Sequence, residues 1–554
     1  MSIMSSLSSG FNRAMAWTGI LPTTPYDASN RSGPEMTGWN RNPGFPGSIS
    51  RSDYDLIVGR AQDLDRNNGW VNGGIDRRVE SVIGTNVRLS AQPAIGVLGR
   101  DINWRMDWAS KTQARYRVWS TDIERRCDAR QMFTIGQLAR LAYIGYLRDG
   151  SCSAEVRDDF GRGLSNPTNV LLFDPQRISM PRNMALQEGP MLRDGIAFNE
   201  AGAPIGYWIA SRHPGDNTSR YQPDSWTYVP RFGKTGRAKI IHVFNPRHVE
   251  QTQGISRLAE VMIPAKMLDR VDRAEVQAAL KSALLSIFIK SPGTAEDMGQ
   301  MLGAPSGNDS SLPDWFKPYV DYRSQNPVHM DGADIHQLLP DEDVVTPDRS
   351  SPNSNYPDFA RFVLQKVAGS LGVSYPQLSQ DWAGINYSSA RALLNELWRS
   401  FLQDRQFFTD QFLTPIYAAW LEWEVANGDI KIPGGPANFY RNKSAICMAE
   451  WIGPGRGSVD PLKEANANNL DTAAGRKSTV QIILEDGRDP EDVMAENMWW
   501  HAELEKRGLP TPNYNVKPEA GAGEGETTGN VDPDRDGAGA SNESKRKTQE
   551  GQPV

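Results

Sequence analysis

The 554 residues predict an α+β protein of more than one compact unit. Apolar residues recur at helical spacing over residues 255–290 and 388–427, which calls for two long helices. Between residues 150 and 250 the period shortens to that of β-strands, and after Tyr514 there is no aromatic, Leu, Ile or Met residue to build a core.

Residues 1–50 are rich in Ser, Gly, Pro and Asn and read as an extended arm. A helical pattern runs from Asp53 to about Gln92, with a β-like stretch at Asn86–Ala91. Residues 101–148 are again helical, with Trp104 and Trp108 one turn apart. The β-rich block holds Ala154–Val156, Val170–Phe173 and a hairpin in which Ile196–Phe198 returns through Asn199–Gly202 to Ile205–Ile209. From Ile255 to about Lys290 a helix should bury Leu258, Met262, Ala265, Leu268 and Val271, with a kink at Pro264.

Residues 291–352 are irregular and rich in Pro, Gly and Asp. Helix signals resume at Asn355: Pro357 suits a first turn, Phe359, Val363, Val367 and Leu371 repeat, and Gly372 is a stop. A loop over Val373–Tyr387 follows. Ser388 is the expected N-cap of a long helix reaching about Asn427, bent at Pro415. Its inner face should carry Leu394, Leu397, Phe401, Phe408, Phe412, Ile416 and Trp420.

Composition narrows the function. There are 60 basic and 67 acidic residues, a net charge of −7, whereas tight DNA binding draws on a basic excess. Three scattered cysteines (Cys127, Cys152, Cys447) argue against a disulfide framework and for a reducing compartment. Neither a signal peptide nor a bilayer-length apolar run is present, the longest being Ala283–Ile289. Sixteen Trp residues supply large core or interface area.

No catalytic constellation emerges. The His residues show no zinc spacing, and His242 and His248 read as structural. Phosphate-loop and nucleophile-elbow motifs are missing, and Gly453–Gly457 reads as a turn. Asp341–Glu342–Asp343 reads as a solvated loop, with a divalent-ion site as the alternative.

Several segments, in order, resemble the lambda-type family of phage portal proteins. They are Tyr26–Ala28, Arg66–Asn68, Gly74–Asp76, Val82–Leu89, Asp174–Ile178, the hairpin 195–209 and Val243–Ser256. At Asn86 the family usually carries Gly, and Asn tolerates the left-handed backbone that such a turn would need. The most specific motifs are Asn386, Tyr387, Ser388, Ser389 and Arg391, and then Trp451, Pro454, Gly455, Arg456, Asp460, Pro461, Lys463 and Glu464.

The resemblance covers about residues 26–508 and implies the portal fold. An arm at 1–25 would precede a wing at 26–254. Stem helices at 255–290 and 355–372 would flank a clip at 291–354, and a tunnel loop would occupy 373–387. A long helix and linker would span 388–439, a crown 440–508, and a disordered tail 509–554.

The implied function is a twelve-subunit ring at one capsid vertex, through which double-stranded DNA passes without sequence preference. Its implied partners are the terminase large subunit, a head–tail connector (adaptor) protein, and the major capsid and scaffolding proteins. No enzyme activity, cofactor, metal or membrane is implied. The place would be the virion, with the host cytoplasm during assembly.

Gln377, Ser379, Gln380, Asp381, Trp382 and Asn386 are expected to face the channel, Trp382 as a steric gate or as packing against a neighbouring subunit. Arg391, Arg399 and Arg405 read as solvated ion pairs of the long helix, with acidic groups on a neighbouring subunit or DNA contact as the alternatives. A capsid or tail protein without a channel, and a metal-dependent nuclease built on Asp341–Asp343, remain open.

Overall fold

Side-chain caps open several of the described helices. The computed structural model describes residues 51–163, 166–181, 191–216, 225–284, 329–330, 333–334, 355–383, 386–457 and 460–512. The expected arm, the acidic triplet at 341–343, most of 291–352 and the tail beyond 512 lie outside the described residues.

The first helical stretch is two helices, α1 (Arg51–Asn67) and α2 (Gly69–Val82), because Asn68 interrupts it and its side chain accepts from the Val71 amide at 3.0 Å. Strand β1 (Arg88–Ala91) follows. Asn86 does not supply the left-handed turn. That residue is Gly84, at φ +67°, where a Cβ would lie 3.0 Å from the Pro454 ring.

Next come α3 (Ile95–Leu98), α4 (Ile102–Ser120) and α5 (Ile135–Arg148). Trp104 and Trp108 stack in α4 with ring centroids 5.8 Å apart, as their spacing requires. Thr134 and Gln137 form a capping box on α5.

The β-rich block is two sheets. Strand β2 (Ser151–Asp158) lies between β3 (Thr168–Phe173) and β8 (Ile240–Phe244). A second, four-stranded sheet runs in sequence order through β4 (Met191–Arg193), β5 (Ile196–Phe198), β6 (Pro204–Ala210) and β7 (Trp226–Pro230). The hairpin forms as expected, closed by Gly202 at φ +77° and by Asn199, whose side chain accepts from the Ala201 and Ala203 amides.

Helix α6 (Met262–Leu284) starts a full two turns later than its pattern suggested, with Leu258 buried ahead of it. Pro264 therefore sits in the first turn, where its missing N–H leaves no gap in the ladder and no interior kink is called for. Ala265 and Leu268 are buried and Val271 is half-buried, as expected. Two short strands, β9 (His329–Met330) and β10 (Ala333–Asp334), pair antiparallel.

In α7 (Tyr356–Leu371) Val363, Val367 and Leu371 are buried, but Phe359 is 42% exposed. Gly372 ends the helix at φ +67°.

Helix α8 (Tyr375–Ser379) precedes α9 (Tyr387–Asn427), which keeps Pro415 inside it. The inner face of α9 is as expected: Phe401, Phe408, Phe412, Ile416 and Trp420 are buried, Leu394 and Leu397 half-buried. Helices α10 (Gly435–Arg441) and α11 (Lys443–Ile446) lead to β11 (Ala449–Ile452), which pairs with β1 so that Leu89 faces Trp451. The three cysteines are buried free thiols.

The main core lies where α4, α9 and β11 meet. Tyr116 packs edge-on against Trp420 at 5.1 Å and Tyr417 at 5.8 Å, with Trp451 at 6.0 Å. A satellite cluster of Ile178, Ile196, Tyr207 and Ile240 joins the two β-sheets.

Two compact units result: 1–456 with 484–491, and 457–483 with 492–554. The second contains α12 (Pro461–Ala473) and most of α13 (Thr479–Glu485) and α14 (Pro490–Lys506); among these helices only Leu504 of α14 is a buried hydrophobic residue in that unit. No described helix is long and apolar enough to cross a membrane.

Trp420 is the largest fully buried side chain. Trp420→Ala should destabilise the first unit by about 3–5 kcal/mol, measured as the fall in urea midpoint at unchanged slope.

Candidate functional site

The segment joining α7 to α9 projects side chains to solvent from a frame fixed at both ends. At its start, the Gly372 carbonyl accepts a 2.7 Å bond from Arg78 of α2. Ser374 then caps α8: its hydroxyl accepts from the Gln377 amide at 3.3 Å, and Gln377 Oε1 accepts from the Ser374 amide at 3.0 Å. Pro376 sits in the first turn of α8, so the expected open loop is partly helical.

Leu378 and Leu371 bury themselves against Gly74 of α2, where a Cβ would fall 2.5 Å from Leu371 and 3.0 Å from Leu378. Gln380 turns the chain out of α8 in the left-handed region, at φ +58°. Asp381, Trp382 and Ala383 follow, all exposed, with Trp382 at 49%. At the far end Asn386 caps α9, its side chain accepting from the Ser389 amide at 2.8 Å. The cap is thus Asn386, and not Ser388, because the helix begins two residues earlier than its pattern suggested.

Beneath this frame lies a buried ionic cluster. Asp404 of α9 is bonded by Arg78 at 2.8 Å, Arg257 at 2.9 Å and the Tyr143 hydroxyl at 2.6 Å. Burial pushes its carboxyl up, but Arg257, Arg78 and the Tyr143 bond outweigh this and hold it below the usual aspartate value. Burial first, and then the Asp404 charge, raise Tyr143 well above the ordinary phenol value, so it stays a donor.

The neighbouring Arg405 overturns its sequence reading. It is buried, not solvated, and donates to the carbonyls of Val82 (2.7 Å), Ser81 (3.2 Å) and Pro454 (3.1 Å). Burial pushes its pKa down to about 10. A Cβ on Gly453 would lie 2.5 Å from this guanidinium, and one on Gly455 would strike the Asp486 carbonyl at 2.3 Å. Val82–Gly84 and Gly453–Gly455, remote in sequence, therefore meet around one arginine.

The family model described as "Phage portal protein, lambda family" matches residues 32–405. The chain belongs to this family. It is 28% identical over 483 residues to the portal protein of Escherichia phage N15, and 27% identical over 483 residues to portal protein B of Escherichia phage lambda; each match covers 87% of this chain and 90% of the relative. Among solved structures it is similar to a chain from the neck of an empty GTA particle, at TM-score 0.40 and 15% identity over 78% of this chain and 94% of that one. The function is that of a portal, a ring at the capsid vertex, and the family is structural, not enzymatic.

The other residues singled out in this lambda-family portal protein fall into two groups. Gln380, Asp381, Trp382 and Asn386 are exposed together, while Gln377 and Ser379 are half-buried, with Ser379 Oγ donating to the Tyr375 carbonyl at 2.8 Å. Ser388 and Ser389 are exposed on the first turn of α9, which Tyr387 opens, and Arg391 is half-buried. Arg456 donates to the Asn395 side chain. In the second unit, Asp460 caps α12 by accepting from the Lys463 amide at 3.2 Å, with Pro461 in the first turn and Glu464 one residue beyond Lys463.

Arg399 is exposed on α9. His242 packs beside Tyr207 and Phe244, and burial, with Arg231 second, pushes it down to about 4, in keeping with a neutral structural ring. No metal-holding cluster occurs among the described residues. The Asp404 cluster is what sequence reasoning missed; its signal was a carboxylate set into the apolar stripe between Phe401 and Phe408.

Asp404→Asn leaves two guanidiniums facing a neutral group and should cost about 3–5 kcal/mol, read by urea unfolding. The advantage of the wild type over this variant should be complete above the ordinary aspartate value of 3.8 and shrink as pH falls below it, because the folded carboxyl titrates lower than the unfolded one. Gly455→Ala should lower Tm by several degrees through its clash with backbone; a neutral Gly455→Ala would contradict that packing.

Proposed function

We propose that twelve copies of this chain close into a ring whose channel carries double-stranded DNA during packaging and ejection, with residues 373–387 as the loop that lines it. The observation that carries this reading is the cluster Gln380–Asp381–Trp382, exposed from a segment tied down at Gly372 and Asn386. A bonded frame with an exposed polar and aromatic tip suits a contact that must touch DNA and let it pass.

A closed ring needs head-to-tail contacts between two different faces of each copy. In the proposed division of the chain, 26–254 is the wing, 255–290 and 355–372 the stem, 291–354 the clip, 388–439 the long helix and linker, and 440–508 the crown. The clip would dock the terminase large subunit and later the connector protein, while capsid and scaffolding proteins meet the ring elsewhere. Assembly would take place in the host cytoplasm.

The work of translocation belongs to the terminase, and the portal contributes passage and retention. The charge balance fits this role. Duplex DNA presents one charge per about 1.7 Å, and about six to ten phosphate contacts already give tight, salt-sensitive binding. A chain with 60 basic and 67 acidic residues is suited to guide DNA without gripping it.

Trp382 would act as the steric gate. Particles carrying Trp382→Ala should assemble normally yet package or retain less full-length genome, measured by DNA content per filled head. Wild-type packaging and retention in that variant would end the gate assignment.

A further inference from the structure

A cavity of about 480 Å³ opens between α5, the chain just after β3, and residues 211–216. Its walls carry charge of both signs, and most of that charge is accounted for locally. Arg148 is paired with Asp149 at 2.8 Å and Asp65 at 3.1 Å. His213 lies 3.5 Å from Asp174 and 2.9 Å from the Gln176 side chain.

Arg212, also on the wall, is engaged as well, whereas Arg130 and Arg177 are different. Arg177 is half-buried and spends its donors on carbonyls, Nε to Ala210 at 2.9 Å and Nη2 to Ser211 at 3.2 Å, while lying 5.5 Å from the Phe173 ring centroid. Arg130, on the same cavity wall, is exposed. Among the described residues neither has a carboxylate within ion-pair distance. Burial, and then the charge of Arg130, push Arg177 below its ordinary value, against a smaller upward pull from Glu155 and Asp174.

We propose that this cavity binds a carboxylate side chain presented by a protein partner, held between Arg130 and Arg177. Guanidiniums offer paired N–H donors that match a carboxylate, and an anion between the two would accept charge-assisted bonds from both. A nucleic-acid strand fits less well. Two arginines fall short of the about six phosphate contacts that give tight DNA binding. The site reads nothing of the channel, so it goes beyond the portal function proposed above.

The test is fluorescence anisotropy of a labelled oligo-glutamate peptide titrated with the full chain at low salt. Arg130→Gln is the informative variant, since Arg130 is exposed and its loss leaves the carbonyl bonds of Arg177 in place; equal Tm would confirm the fold. The wild type should bind saturably, Arg130→Gln about tenfold more weakly. Inorganic phosphate should displace the peptide, and duplex DNA should not.

Unsaturable binding, or equal affinity in Arg130→Gln, would overturn the site. Phosphate that stabilises the wild type but not the variant, without competing with the peptide, would assign the cavity to a free ion and overturn the carboxylate reading. Displacement by DNA would overturn it in favour of a nucleic-acid contact.

Discussion

Asp404 is the charge on which the rest of the first unit depends. It sits on the apolar face of α9, one turn from both Phe401 and Phe408, where an unpaired carboxylate would be prohibitively desolvated. Three side chains from separate parts of the chain converge to prevent that: Arg78 from α2, Tyr143 from α5 and Arg257 from just before α6. Such a cluster is weak evidence for net stability, because its Coulomb gain is largely offset by the cost of dehydrating each ion. Its consequence is geometric. Only one register of α9 against α2 and α5 brings all four groups together.

That register reaches the solvent-facing segment through Arg78, whose second nitrogen holds the Gly372 carbonyl. The next residue on α9, Arg405, does the same job for the opposite end of the unit, clasping Ser81, Val82 and Pro454 through their carbonyls. Two adjacent charged residues thus align the helix with the segment that follows α7 on one side and with the glycine-rich turn after β11 on the other. The glycines at 453 and 455 belong to the same constraint, since no side chain fits where the Arg405 guanidinium and the Asp486 carbonyl approach them.

Much of this was legible in the sequence. Periodicity gave α9, α7 and the hairpin at Asn199–Gly202 because each carries a full apolar stripe or a turn residue of fixed geometry. Local chemistry was read less well where two signals competed. Asn68 breaks a continuous helical pattern by capping, Pro264 falls in a first turn, and α8 hides inside a segment read as an open loop. Ser388 was read as the cap of α9, and the structure gives that place to Asn386.

Arg405 was misread because a lone arginine on a long helix is usually solvated, and nothing in the sequence places the carbonyls of Val82 and Pro454 beside it. The order of the family motifs, by contrast, was informative even though each is short, because in space Val82–Gly84 and Pro454 form one contact. Of the residues expected to face the channel, Gln380, Asp381, Trp382 and Asn386 are exposed, whereas Gln377 and Ser379 are half-buried because they belong to the capped helix α8.

The most direct test of the account is cryo-electron microscopy of the purified full-length chain. Closed rings of twelve subunits, with Trp382 of every copy pointing into a central hole wide enough for duplex DNA, are the predicted result. Rings in which Trp382 lies on the outer surface, or assemblies with no axial hole, would contradict it.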